Sequence, residues 1–451
     1  MNHPDLDLEK VRQQYDAAPY PKVPVEKSPK DEPTRDAMFL HCAVTPYYLR
    51  DQQVVDTHGM TILDAGCGSG YKALLLAEAN PGARIVGVDV SQASVELARS
   101  RLKYHGFDNA EFHVGRIEDL PALAQEFGYA FDYINCDEVL YMVPDPIACL
   151  AAMKAVLKPR GIIRGNFHSL YQRQNYYRAL QLFKMMGLMD DNPEEFAMET
   201  VIELMNGLQD WVNLKALTWS APFASQTDLE KMAVGIRMNF LIQGDRGFTV
   251  TDVFNTLRQV DLKFVSMSYW RHWELADLFK NSEELPLAIA MGLEAASQEE
   301  KLQIFELLHP MHRLIDFWCS QPADPVALPA VSSEVFDWNC AVVHLHPVLL
   351  DDSVRQDALV CIKEQRAFEI SRHINVPTRV SVKLDTRCIA CLLPLWDAPQ
   401  PFAALVDRWL LLFPVDPITL APETKERTTL KVRDLLQRLE VFLYVLVQVN
   451  P

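Results

Sequence analysis

The chain has 451 residues, of which 49% are hydrophobic and 23% charged, with a formal net charge of −17. This is more than one ordinary domain of globular composition, with ample material for a core. The acidic excess argues against general affinity for nucleic-acid phosphates or anionic lipid.

The N-terminal stretch MNHPDLDLEKVRQQ has no apolar segment of the secretory kind. Residues 1–50 read as an extended arm, rich in Pro and charge over YDAAPYPKVPVEKSPKDEPTR, followed by a helix through RDAMFLHCAVTPYYLRDQQV. From Thr61 onward, short apolar strands alternate with helices. The strands are TILDAG, ARIVGVDV, AEFHVGR, FDYINCD and GIIRGNF. Doubly apolar strands in βαβ alternation imply a parallel sheet covered by helices. Ser91 and the pair Asp145-Pro146 are expected helix starts.

Residues 170–240 break this rhythm with a helical pattern rich in Met, Tyr and Phe. FTVTDVFNTLRQVDLKFVSMSYW, from Phe248 to Trp270, then reads as a late helix–strand unit of the same sheet. The intervening helices are therefore expected as an insertion and lid over the strand ends, where open α/β sheets bind ligands. Residues 51–275 form the expected main domain, and 276–333 a helical connector ending in the linker QPADPVALPAVSS. Residues 334–451 form a separate α+β accessory domain with strands in NCAVVHLHPV, TRVSVKL and RCIACLLPLW. No run, RWLLLFPV included, is long enough to span a bilayer. Nine cysteines without framework spacing read as reduced thiols, so a cytoplasmic location is expected.

ILDAGCGSGYKALLLAEA is the most informative stretch. Gly66, Gly68 and Gly70 give G-x-G-x-G between a strand and a helix, with Tyr71 where a dinucleotide loop has its third glycine. Asp64 lies just before the loop. Its carboxylate would repel a pyrophosphate and attract an ammonium or sulfonium. Asp89 ends the next strand, where an acid takes ribose hydroxyls. A ribose at one end and a cation at the other describe S-adenosylmethionine.

LDAGCGSG followed by IVGVDVS resembles the first two motifs of the class I S-adenosylmethionine-dependent methyltransferases. FDYINCDEVLYMVPDP resembles their fourth motif and LKPRGIIRGNF their fifth, so the resemblance covers about residues 60–168. It implies a Rossmann-like sheet and S-adenosylmethionine as cofactor. Asp64, Ala65, Gly66, Cys67, Gly68 and Gly70 would line the methionine end, and Asp89 with Val90 the ribose. Arg116, Ile117 and Glu118 would lie at the adenine, with Cys136 at the end of the fourth strand. Arg116 stands where many relatives have an Asp. YDAAPYP, containing Tyr15 and Tyr20, resembles an arm of bacterial protein-lysine methyltransferases that carry a regulatory-type C-terminal extension. FHSLYQ occupies the place of their Tyr-Asn-Thr-Leu-Pro-Gly segment, with His168 at the Asn.

Methyl transfer asks mainly for positioning and an electron-rich pocket. Tyr15, Tyr20, Tyr141 and Phe167 are candidates for a cation–π wall. His168 is the candidate general base, and Asp137 and Glu138 could orient an amine or hydroxyl. With Asn166 these two carboxylates are similar to the Mg²⁺ set of catechol-type methyltransferases, but the spacing differs and no metal is expected. HPMHRLIDFW reads as a helix face and YWRHWEL as a strand. CIAC reads as part of a strand with its thiols on opposite faces. The function expected is methylation of a protein amine, a lysine. The alternatives are a small metabolite (quinol, phenol or lipid precursor) and a non-catalytic regulator that senses S-adenosylmethionine or S-adenosylhomocysteine. The partners expected are the methyl acceptor and a second copy docked through the C-terminal domain.

Overall fold

The computed structural model describes residues 4–190, 193–219, 229–281, 284–322, 336–376, 380–416 and 419–449. Helix α1 (Pro4–Ala17) leads into an extended arm, then α2 (Asp36–His41) and α3 (Val44–Asp51). The arm is thus helical up to Ala17, contrary to the expectation of an extended segment. Its prolines cluster from Pro19 onward, Pro4 takes the first helical turn where no N–H is needed, and Val11 is buried.

Strands β1 (Thr61–Ala65), β2 (Arg84–Asp89), β3 (Glu111–Val114), β4 (Phe131–Cys136) and β5 (Leu157–His168) pair in parallel. They alternate with α4 (Tyr71–Ala79), α5 (Gln92–Tyr104), α6 (Leu120–Phe127) and α7 (Pro146–Val156). Ser91 caps α5 by accepting from Ser94 N–H, and Asp145 caps α7 through Ile147 and Ala148 N–H. Helices α8 (Leu170–Met185), α9 (Glu194–Gly207), α10 (Asn213–Thr218) and α11 (Leu229–Asn239) follow, with their own core around Phe183, Val201 and Phe240. Then come α12 (Val250–Gln259), β6 (Lys263–Met267), α13 (Leu287–Ala295), α14 (Gln298–Leu308) and β7 (Leu314–Ser320).

The seven-stranded sheet has the order β3-β2-β1-β4-β5-β7-β6, and β7 runs antiparallel to both neighbours. This is a Rossmann-like α/β sheet, but it extends past the expected boundary at residue 275. The stretch HPMHRLIDFW is not a helix: its second half opens β7. All but the first residue of β7 are buried, so the strand shows no polar alternation to betray it. Trp270–Trp273 is a 3-10 turn after β6 rather than a strand.

The C-terminal part forms a three-stranded antiparallel sheet of β8 (Ala341–Leu345), β11 (Gln400–Pro401) and β12 (Val445–Val449), and a two-residue ladder of β9 (Phe368–Glu369) with β10 (Lys383–Leu384). Around them lie α15 (Asp352–Lys363), α16 (Thr386–Leu392), α17 (Phe402–Leu412) and α18 (Lys425–Glu440). CIAC lies in α16, not in a strand, because Asp385 accepts from Cys388 N–H and starts a helix. Cys388 and Cys391 therefore share a helix face. Of the expected linker, residues 323–333 lie outside the described residues, as do Thr378 and Arg379 of TRVSVKL.

Candidate functional site

The carboxyl ends of β1, β2 and β4 are in register: Asp64 lies opposite Gly87 and Asn135, and Ala65 opposite Val88. The glycine loop leaves β1 here. Gly68 sits at φ +48°, and a Cβ on it would lie 2.3 Å from the carbonyl oxygen of Tyr20. The N-terminal arm is thus laid directly on the loop. Ser69 N–H donates to Tyr20 O at 2.9 Å, and its hydroxyl donates to Pro21 O at 2.8 Å. Arg101 of α5 holds the next turn of the arm, at Val23 O and Pro24 O. Asp89 is fixed by Gly68 N–H on one oxygen and Ser91 N–H on the other, both at 2.9 Å. Burial raises its carboxyl pKa.

Under the arm lies a cavity of 340 Å³. Tyr15 and Tyr20 roof it, and Gly66, Cys67 and Gly68 line it from the loop. Asp89, Val90, Ile117 and Glu118 lie along one side, Asp137 and Tyr141 along the other. Seven predicted residues do not line it; one is Phe167, expected in the cation–π wall but buried in the core against Phe248 and Phe317. Ala65 and Cys136 are strand residues buried in the sheet. Gly70 packs against Ala98, where a Cβ would come within 2.6 Å of Cα. Arg116 turns its guanidinium to Glu118 at 3.3 Å. Asp64 is buried just behind the loop, and His168 lies behind Tyr141.

Asp64 accepts from Asn135 Nδ2 at 2.8 Å through Oδ1, while its Oδ2 has no hydrogen-bond partner among the described residues. Burial pushes its pKa up to about 7. An orphaned buried carboxylate oxygen behind the cavity fits a ligand with a positive charge at this end, as Asp89 fits ribose hydroxyls at the other.

Asp137 anchors a buried chain of charges. Its Oδ2 is 2.6 Å from Lys72 Nζ and 3.6 Å from His41 Nε2, and its Oδ1 accepts from Asn166 Nδ2 at 2.6 Å. Desolvation works against its charge, but the Lys72 and Arg164 cations outweigh it and hold the carboxyl well below its ordinary range. Arg164 makes a two-point pair with Asp316 at 3.0 and 2.6 Å, and donates to His41 Nε2 at 2.8 Å. His41 therefore carries its proton on Nδ1, which donates to Ala37 O. Burial lowers its pKa to about 3. With Lys72 beside Asp137 and the Asn166 amide donating to it, the carboxylate–amide set is already bound by protein cations and donors. No cluster of three metal-binding side chains occurs among the described residues.

His168 departs from its expected role. Arg313 Nη1 donates to its Nε2 at 2.9 Å, so its Nδ1 carries the proton and donates to Asp245 Oδ1 at 2.7 Å. Both ring nitrogens are engaged, and burial lowers the pKa to about 4. The general base expected at His168 is thus replaced by a buried, neutral ring stacked on Tyr141 at 3.5 Å. Glu138 faces the cavity instead. It sits at φ +62°, a conformation that costs a side-chain-bearing residue about 1–3 kcal/mol. Asn166 Oδ1 holds it there by accepting from Glu138 N–H at 2.8 Å. Arg313 Nη2 donates to Glu138 Oε1 at 2.9 Å.

Sequence reasoning missed Lys72, Tyr71, Val139, Met142 and Met238, which also line the cavity. Lys72 and Tyr71 open the helix after the glycine loop, so their place was readable from GSGYK. Met238 comes from α11, so the helical insertion does reach the cavity; nothing local in the sequence marks that residue.

Residues 56–216 match the family model described as a methyltransferase domain. The chain carries a class I S-adenosylmethionine-dependent methyltransferase domain. An uncharacterised protein of Synechococcus is 33% identical over 161 residues, 36% of this chain and 37% of that protein. The ubiquinone biosynthesis O-methyltransferase of Neisseria meningitidis serogroup C is 33% identical over 108 residues, 24% of this chain and 44% of that enzyme. The chain thus matches about half or less of the length of these curated relatives. Beyond the methyltransferase domain, the fold of PKMT2 from Rickettsia typhi follows 91% of this chain and 74% of that one, with a TM-score of 0.56 at 17% identity. Among the described residues no helix is long and apolar enough to cross a membrane.

Proposed function

We propose that the protein is an S-adenosylmethionine-dependent methyltransferase acting on a protein amine, a lysine side chain. The observation that carries this reading is the cavity wall beside Asp137: the rings of Tyr15, Tyr20 and Tyr141 with the carboxylate of Glu138. Aromatic faces and a carboxylate suit a cationic amine and a sulfonium together. The chain-wide likeness in fold to the protein-lysine PKMT2, C-terminal part included, supports the same acceptor.

When bound, S-adenosylmethionine would supply an electrophilic methyl group; the acceptor ammonium first gives its proton to water, and the free amine's lone pair then takes the methyl in line while the C–S electron pair stays on sulfur. The protein's part is to bind and orient. In this reading Gly66, Cys67 and Gly68 let the ligand approach the backbone, and Asp89 takes the ribose hydroxyls. Ile117 and Glu118 flank the adenine. Asp64 supplies the negative field at the methionine end. Tyr15 and Tyr20 close the roof and exclude water. Asp137, neutralised by Lys72, holds Asn166, and Asn166 holds Glu138 in position.

A second reading, O-methylation of a small phenol or quinol, is favoured by the likeness in sequence to ubiquinone biosynthesis O-methyltransferases. One experiment separates the two. The full chain is incubated with methyl-labelled S-adenosylmethionine and an extract of source cells, and counts are compared in protein and organic phases. Asp89→Ala serves as background. Label in a protease-sensitive band is the expected result; label confined to the organic phase overturns the lysine reading.

A further inference from the structure

Glu138 and Arg313 form an ion pair at the rim of the cavity, and the groups around it are arranged unevenly. Glu138 is held rigidly from behind: its left-handed backbone is clamped by Asn166, and Tyr141 O–H points at its Oε2 from 3.5 Å. Arg313 is held from both sides. One nitrogen of its fork donates to Glu138 and the other to the lone pair of His168 Nε2, each at 2.9 Å. His168 cannot rotate to release that lone pair, because Asp245 fixes its Nδ1 and Arg173 in turn fixes Asp245 at 3.3 Å. The guanidinium thus keeps a neutral acceptor of its own if it loses Glu138. Its side chain remains 41% exposed, so a second cation can reach the pair from solvent.

We propose that Arg313 is a built-in stand-in for the acceptor: it occupies the carboxylate of Glu138 until a lysine ammonium displaces it, and it then rests on His168. This deepens the lysine reading and depends on it. Glu138 is the group that touches the acceptor. Arg313 is a positioning residue that sets how strongly a cationic acceptor must bind to enter. An arginine that instead bound an anionic acceptor directly would respond to mutation with the opposite sign.

The test uses the full chain saturated with S-adenosylhomocysteine, titrated calorimetrically with N-acetyl-lysine methylamide, with its norleucine analogue, and with 3,4-dihydroxybenzoate as an anionic phenol. Removing the competitor in Arg313→Ala tightens the lysine probe by about fivefold and leaves the norleucine probe unchanged. Arg313→Lys restores wild-type affinity, and Glu138→Gln abolishes lysine binding. With the lysine probe as methyl acceptor, Arg313→Ala lowers KM and leaves kcat within about twofold. S-adenosylhomocysteine affinity and Tm report whether the fold is intact. If Arg313→Ala misfolds, Arg313→Gln keeps a donor to His168 without the charge and serves in its place.

Unchanged or weaker lysine binding in the folded Arg313 variants overturns the proposal. So does the absence of lysine binding in wild type and variants alike. In either case label found in protein from the extract experiment leaves the lysine reading standing. Weakened binding of the phenol in Arg313→Ala, with label in the organic phase, sinks both.

Discussion

Replacing Gly68 by alanine tests whether the N-terminal arm is part of the cofactor site. Gly106 supplies the control. Both are left-handed, at φ +48° and +80°, but a Cβ on Gly106 meets nothing within 4 Å, whereas on Gly68 it lies 2.3 Å from Tyr20 O. Each substitution carries the left-handed penalty of about 1–2 kcal/mol. Only Gly68→Ala also pushes the arm away, breaking the bonds from Ser69 N–H to Tyr20 O and from the Ser69 hydroxyl to Pro21 O. Two neutral hydrogen bonds contribute about 2 kcal/mol together. A ligand that needs Tyr15 and Tyr20 in place must restore that docking on binding. Its apparent Kd therefore rises about 30-fold. Isothermal titration with S-adenosylhomocysteine reads the affinity, and differential scanning fluorimetry the stability. Gly106→Ala loses stability and keeps its affinity; Gly68→Ala loses both. If the two variants bind alike, to within about threefold, the arm is not part of the site and the argument is wrong.

Three further outcomes follow from buried charge. His41, His168 and His346 have pKa values lowered by burial to about 3, 4 and 3. They stay neutral in the fold while the unfolded chain protonates near pH 6.5, so their contribution is complete above that pH and is lost as pH falls. Three such groups, less the opposing proton that Asp64 takes up in the fold over the same range, predict a net loss of about 3 kcal/mol per pH unit between roughly pH 6 and 4, seen as a falling urea midpoint; a flat midpoint there would refute it. Asp64 runs the other way, its pKa raised to about 7 in the free protein. Cofactor bound with its cationic end at Asp64 ionises the carboxyl. Titrations at pH 6.5 in buffers of different ionisation enthalpy then show proton release, which Asp64→Asn abolishes. Arg164→Met leaves Asp316 and Asp137 buried with a cation missing and costs about 3–5 kcal/mol, whereas breaking the exposed pair of Arg84 with Glu111 costs about 1 kcal/mol or less.

What the sequence disclosed about the site is what backbone chemistry dictates locally. A glycine loop between strand and helix and an acid at the next strand end lie close in the chain and line the cavity, and the acid before the loop lies just behind it. Long-range placement was not legible. His168 looks like a base from its position after β5, but its partners Asp245 and Arg313 lie 77 and 145 residues away in the chain. Strand β7 escaped notice because a strand buried on both faces carries no period, and the run between α14 and the linker then passes for helix. Helix α1 escaped because the composition of the whole arm was set by prolines that follow it. Lys72 was in plain view beside the loop, yet its role depends on Asp137, 65 residues on.

The C-terminal part is expected from sequence as a separate accessory domain, and the packing of α2 and α3 argues for a closer relation. Phe39, Leu40, Val44 and Tyr48 share one apolar core with Val343, Leu345, Leu439 and Tyr444. Tyr48 and Val447 exchange two hydrogen bonds, Tyr48 O–H donating to Val447 O at 3.0 Å and Val447 N–H donating back at 2.8 Å. Arg35 N–H donates to His373 O at 2.9 Å, and Asp36 accepts from Asn375 and Val376 N–H. The last residue of α2 is His41, whose neutral ring accepts from Arg164, and Arg164 stands between Asp316 and the cavity's Asp137. The C-terminal core therefore seats α2, α2 seats His41, and His41 fixes the guanidinium that neutralises one side of the cavity floor. This also accounts for the different reach of the two kinds of likeness. A cofactor loop tolerates few side chains at positions such as Gly68 or Asp89, and the segment that contains them, 56–216, is the one the family model matches. A core that only has to seat a helix is satisfied by many apolar combinations of similar volume, so fold outlasts sequence beyond residue 216.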